Sequence, residues 1–163
     1  WDAYQAAYEE TIRETATLVG MALPSPALCA DDEQQGLKLH PAVVAADWAQ
    51  VKELLIELAD HNFEPNELTL KRGVPYMLRL KNTGSTAHDM VGGTFFGRDV
   101  IALRMVNSRV GRVTADDISS IYIRPKNDTE LWFVPLKTGV FSFVCSIPGH
   151  KESGMEGQVR IVD

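Results

Sequence analysis

An all-β domain, built as an antiparallel two-layer sandwich behind an N-terminal helical extension, is what the sequence predicts. Three observations point there. From about residue 51 short segments alternate apolar and polar side chains, Pro, Asn and Gly break them at short intervals, and three further runs of this kind precede a last one, GQVRIVD, at the chain end.

Residues 1–20 read as a helix. Trp1, Tyr4, Tyr8, Ile12 and Val19 recur mostly at three- and four-residue steps, Glu9, Glu10, Arg13 and Glu14 lie between them, and Gly20 is a natural stop. The next stretch, ALPSPALCADDEQQGLKLHP, is rich in Pro, Asp and Gln and reads as a linker or irregular wrap. Residues 1–50 are therefore expected to form a helical and irregular extension, and residues 51–163 the β-domain. AADWAQVKELLIELAD fits two periods: Trp48, Val51, Leu55 and Leu58 suit a helix, and Leu54, Ile56 and Leu58 suit a strand. The segments C-terminal to it favour the strand from Val51 onward. Pro65 and Asn66 form a turn, Leu68 and Leu70 alternate up to Gly73, and Tyr76, Leu78 and Leu80 alternate up to the break at Asn82–Gly84. SIYIRP, TELWFVP and GVFSFVC are further strands. Between the two groups lies GGTFFGRDVIALRMVNSRVGRVTADD, long for a loop and open to part-helical structure.

Composition narrows the function classes. The chain has 163 residues and a net charge of −6, with apolar residues at 45%, enough to build a core. No run approaches the ~18 apolar residues of a membrane-spanning helix. The chain opens at Trp1 without a basic-then-apolar leader, as a processed or trimmed product would, which neither shows nor excludes a removed signal peptide. All of the net charge sits in residues 1–50, with eight acidic and two basic side chains; the remainder is balanced. Arg98, Arg104, Arg109, Arg112, Arg124 and Lys126 form a basic stretch, so the acidic arm and this stretch could pair with each other or face charged partners. Overall acidity and the lack of a recognisable motif argue against nucleic-acid binding. Two cysteines, Cys29 and Cys145, allow a single disulfide, and their number alone does not decide it.

The neighbours of Cys145 carry more information. CSIPGHKESGM places Cys145, His150 and Met155 at equal spacing between two strands, with Pro148, Gly149 and Gly154 able to fold the backbone back. A copper ion that cycles between Cu(I) and Cu(II) wants a thiolate and two imidazoles in a plane, with a weak axial thioether. His88, just after a strand break in NTGSTAHDM, can supply the second imidazole. Cys145 alone could be a buried thiol, His88 a turn cap and Met155 a core residue; Met155 is the weakest of the four. Structural zinc sites usually take four Cys or His ligands rather than a thioether. A binuclear copper centre needs a second loop cysteine, and a hydrolase needs an organised base and orienting carboxylate. Neither is visible, so catalysis is not expected.

These residues resemble the cupredoxins, single-domain type 1 copper proteins that include plastocyanin, azurin, auracyanin and rusticyanin. The resemblance covers residues 51–163: Phe63 and Pro65, the pattern from Gly73 to Gly84, the AHD ligand triplet, and GVFSFVCSIPGHKESGMEGQVRIV. The C-x4-H-x4-M spacing is most similar to the rusticyanin and auracyanin kind. It implies a Greek-key β-sandwich with one copper ion near one pole, held by His88, Cys145 and His150 in the plane and Met155 on the axis, with the Ala87 carbonyl opposite. It also implies an electron carrier in an oxidising compartment such as a bacterial periplasm, with redox protein partners (a cytochrome, or a copper oxidase or reductase) docking near His150. Ile147, Pro148, Gly149 and Gly154 would form the contact face, widened by Val91–Phe96. The alternative is a copper-handling protein of resistance, storage or delivery on the same fold. Many cupredoxins carry Asn after the first ligand His; this chain has Asp89. Asp89 is expected to accept hydrogen bonds from Ser146 as a clamp between the ligand loops, and an ionised carboxylate there favours Cu(II). His40 and His61 lie outside the pattern, His61 as a turn residue and His40 in the linker, where it could join Cys29 in a second metal site.

Overall fold

The computed structural model describes residues 38–108, 111–113 and 118–163. The chain divides into two units, residues 1–37 and Lys38–Asp163. The helix read over residues 1–20, most of the linker, and Cys29 lie outside the described residues, as do the side chains of Arg109 and Arg112.

Eleven strands form two sheets among the described residues. They are β1 (Lys52–Ala59), β2 (Asn62–Glu64), β3 (Glu67–Lys71), β4 (Tyr76–Asn82), β5 (His88–Val91) and β6 (Ile101–Ser108), then β7 (Gly111–Val113), β8 (Ser120–Ile123), β9 (Asp128–Pro135), β10 (Gly139–Val144) and β11 (Glu156–Val162). One sheet runs in the order β2-β1-β4-β9-β6-β7 and the other β3-β11-β10-β5-β8. The chain passes repeatedly from one sheet to the other, as a Greek-key sandwich requires. That exchange corrects the purely antiparallel expectation. β1 runs parallel to β4, and β3 runs parallel to β11. In the first pair the intervening β3 lies in the opposite sheet, so β4 re-enters beside β1 in the same direction.

The ambiguous stretch resolves as a short 3-10 turn (Trp48–Gln50) followed by β1, whose Ile56 and Leu58 are fully buried in strand alternation. Helix α1 (Pro41–Ala45) precedes it, and the His40 ring caps it by accepting from Ala42 N at 3.1 Å. Val43 is buried with Ala102 and Val134, and Trp48 donates from Nε1 to the Val43 carbonyl. The Trp48 ring also lies 6.2 Å from that of Trp132 and under the Arg104 guanidinium. The compact unit therefore begins at Lys38, and residues 41–50 are packed onto the strands that the sequence reading starts at residue 51.

Residues 92–117 are not part-helical where described. Residues 101–108 form β6, paired with β9. Period-two alternation was hidden because Ile101, Ala102 and Leu103 are all buried: Ile101 and Leu103 in the main core, Ala102 against Val43 on the other face. A strand covered on both faces loses its alternation in sequence.

The main core lies between the sheets. Phe63 meets Phe143 edge to face at 5.0 Å, and Phe133 stacks on Tyr76 at 6.1 Å and meets Phe95 edge-on at 5.9 Å. Burying side chains of this size is worth roughly 1.5–3 kcal/mol each, so these contacts anchor the pole above them. At that pole Asn82, 1% exposed, staples the β4–β5 loop. Its Nδ2 donates to the Thr86 and Ile123 carbonyls at 2.8 and 3.0 Å, and its Oδ1 accepts from Gly84 N at 2.9 Å. The loop end is His88. Replacing Asn82 with Ala strands three backbone groups, two of them in buried bonds, and denaturant unfolding is expected to show a loss of about 2–3 kcal/mol.

Candidate metal centre

Register builds the centre. β10 pairs antiparallel with β5 through Val144 opposite Val91. Running that register two residues further sets Ser146 opposite Asp89, with Cys145 and His88 beside them at the same pole. Asp89, 8% exposed, locks the arrangement: its Oδ1 accepts from Ser146 N at 2.6 Å and its Oδ2 from the Ser146 hydroxyl at 2.5 Å. The clamp expected from the sequence is present, through backbone and hydroxyl together.

The loop between β10 and β11 closes on itself. His150 N donates to Ile147 O at 3.1 Å, Met155 N donates to His150 O at 3.0 Å, and Cys145 N donates to Met155 O at 3.0 Å. Gly149 and Gly154, at φ of 85° and 95°, make the left-handed turns this path needs. Three of the expected ligands converge. One donor atom each from His88, Cys145 and His150 lies within 4.8 Å of the others. His88 Nδ1 is 3.1 Å from His150 Nδ1, and Cys145 Sγ is 3.5 Å from that same nitrogen. Met155 is fully buried in the core cluster that also holds Cys145, its backbone bonded to both loop ligands. Ala87 is half-buried immediately before β5.

Burial governs the protonation states. It holds the His88 imidazole below its ordinary value, reinforced by the neighbouring His150 and opposed by Asp60. The ring is therefore neutral and able to ligate. Burial pushes the Cys145 thiol up, against the opposing pull of the Asp89 and Ile147 amides. Two imidazoles and a buried soft sulfur suit copper, and the Cys145 thiol is free.

Two residues at the pole were not expected there. The β1–β2 turn brings Asp60 Oδ1 to 3.7 Å from His88 Nε2, and the His61 ring meets His150 edge to face at 5.0 Å. Asp60 also accepts from Ser85 N at 3.1 Å and from the Ser85 hydroxyl at 3.0 Å, and these bonds hold its carboxyl below the usual range. Nothing in the local pattern linked a turn at residue 60 to a loop at residue 150. Conversely, Phe95 and Phe96 do not widen a surface patch: they are 0% and 3% exposed and belong to the core. Pro148, Gly149 and Gly154 are exposed, and His150 is 7% exposed against 0% for His88, Cys145 and Met155.

The cupredoxin-like domain family profile matches residues 37–159. The chain is similar to a copper-resistant cuproprotein of Rubrivivax gelatinosus, at 30% identity over 61% of this chain and 59% of that protein. It is also similar to a copper-resistant cuproprotein of Pseudomonas aeruginosa, at 24% identity over 68% of this chain and 76% of that protein. The chain thus spans less than two thirds of the first of these relatives. Among solved structures, the copper nitrite reductase of Nitrosomonas europaea superposes with a TM-score of 0.54 at 13% identity, over 69% of this chain and 49% of that one, a likeness of fold alone.

The geometry yields two expected outcomes. Ligation by the raised Cys145 thiol has to displace its proton, so apparent Cu(I) affinity should climb about tenfold per pH unit below the thiol's own titration, measured by competition with a chromophoric chelator at pH 6, 7 and 8. Asp89→Ala removes both acceptors of Ser146, and thermal or denaturant unfolding should register a loss of about 1–2 kcal/mol, with Asp89→Asn retaining most of it.

Proposed function

The chain belongs to the cupredoxin-like domain family, and from that premise we propose that it holds one copper ion in a type 1 site and exchanges single electrons through it. His88, Cys145 and His150 would hold it, with the buried Met155 thioether as a fourth, weaker donor. The observation that carries this reading is the convergence of three buried donor atoms within 4.8 Å on a backbone-clamped pole. Bound copper would supply the one-electron couple; the protein supplies a buried, backbone-clamped cage that would limit rearrangement of the donors. Asn82 sets the loop carrying His88, the Asp89–Ser146 clamp holds that loop to Cys145, and the Met155 amide and carbonyl tie the third ligand to the first turn of β11.

The donors are nearly closed to solvent, which leaves no open position for a substrate, and this supports a carrier rather than an enzyme. His150, the most exposed of the four, is the exit edge. Pro148 and Gly149 beside it form a small face suited to a transient encounter with a redox protein such as a cytochrome or a copper oxidase or reductase. We place the protein outside the cytoplasm, in a periplasm.

A second reading has its own observation: both curated relatives are named for copper resistance. On that reading the same site retains or hands over copper. The experiments separate the two. Copper loading should produce an intense thiolate charge-transfer band and a reversible one-electron wave; absence of both rules out the electron carrier. Fast surrender of copper to an apo-partner or chelator, with sluggish voltammetry, selects handling. Asp89→Asn, which keeps an acceptor and removes a charge, should raise the reduction potential by up to ~60 mV, equivalent to a tenfold change in relative affinity for the two oxidation states. An unchanged potential would show that the charge is not felt at the site.

A further inference from the structure

We propose that the two-residue turn Asp60–His61 is a clamp on both imidazoles: Asp60 orients the His88 ring and His61 orients the His150 ring, so that this turn sets how firmly copper is held. The inference rests on the copper reading of the pole. It adds two positioning residues that the ligand pattern does not contain.

The turn joins β1 to β2, with Ala59 opposite Asn62 in the register. Each of its two residues touches a different imidazole. On His88, Nδ1 faces His150 and the opposite nitrogen, Nε2, faces Asp60. Among the described residues His88 Nε2 is the buried side-chain polar atom that lacks a hydrogen bond. At 3.7 Å the Asp60 carboxylate is slightly beyond hydrogen-bonding range, a gap of the kind that closes when the ring engages a ligand. A proton on Nε2 directed at a carboxylate leaves the Nδ1 lone pair for the metal, which is how outer carboxylates commonly fix a ligating histidine. The approach depends on Gly84. A Cβ there would stand 2.5 Å from Asp60 Oδ1 and 3.0 Å from His88 Nε2.

His61 carries a second, independent sign. It adopts φ of 73°, a left-handed conformation that costs a side chain energy and that two-residue hairpins usually assign to Gly or Asn. Here the position holds an exposed imidazole whose ring lies edge-on to His150 at 5.0 Å. A backbone penalty accepted at a site contact is the pattern expected of a residue retained for its side chain.

The test uses the full chain. In the metal-free protein, long-range proton–nitrogen spectra should show His88 protonated at Nε2, and Asp60→Asn and Gly84→Ala should both shift it toward a mixture of tautomers. Gly84→Ala keeps both clamp side chains and crowds the half-exposed Asp60 carboxylate first, at 2.5 Å, with His88 Nε2 next at 3.0 Å. In the Cu(I)-loaded protein, extraction by an excess of a chromophoric chelator should quicken about tenfold for Asp60→Ala and for His61→Gly, and stay near wild type for His61→Phe. His61→Gly suits the backbone, so the metal-free protein should melt at or above the wild-type temperature even as copper leaves faster, an outcome a purely structural role cannot produce. An unchanged tautomer in Asp60→Asn and Gly84→Ala, or unchanged extraction in His61→Gly, overturns the clamp. A wild-type chain that takes up no copper overturns the copper reading itself, and the metal-free spectra still decide whether Asp60 orients His88.

Discussion

The site depends on one strand register, the antiparallel pairing of β5 with β10 that sets Val91 against Val144. Past the end of that pairing the two chains separate, and Asp89 holds them through the Ser146 amide and hydroxyl. Were the register to slip by one residue, every side chain on the slipped strand would change face. A slip of β5 would take His88 from the pole and Met90 from the core, and a slip of β10 would do the same to Cys145 and Phe143. The core and the donors are thus set by the same alignment, which is why a donor set can sit at the end of a sandwich without a dedicated subdomain to hold it.

Electrostatics at the pole have a consistent direction. Two carboxylates stand just outside the ligand set, Asp89 on the cysteine side and Asp60 on the His88 side. Each is tied by a serine in the next loop, Ser146 or Ser85. On the copper reading, negative charge at either would favour the more highly charged metal state, while burial lowers the His88 imidazole and raises the Cys145 thiol. A copper site of this character would retain a divalent ion well. That property serves an electron carrier of modest potential and a copper-tolerance protein alike, and it explains why one architecture supports both readings.

Much of this was legible in the chain. The C-x4-H-x4-M loop lies on consecutive residues, and strand alternation before and after it is undisturbed because β10 and β11 each bury one face. Asp89 stood out because it occupies a position where the resemblance leads one to expect Asn. Legibility failed where a segment answers to distant partners. β6 lost its alternation to burial on both faces, Phe95 and Phe96 looked like surface beside a ligand and are core, and residues 41–50, assigned to the extension, are packed through Val43 and Trp48. His61 was legible as a turn residue, but nothing local linked it or Asp60 to the pole.

The sequence by itself determined the chemistry: which donor types are present, their order in the chain, and the β-character of the segments that carry them. Those are properties of spacing and alternation, and they survive without knowing what lies across the sheet. Only the tertiary structure decided which side chains stand behind the donors. That Asp60 faces His88 and His61 faces His150 comes from β1 running parallel to β4, which carries the β1–β2 turn to the pole where the β4–β5 loop emerges. Sheet exchange brings together residues about ninety positions apart, and no local pattern encodes that meeting.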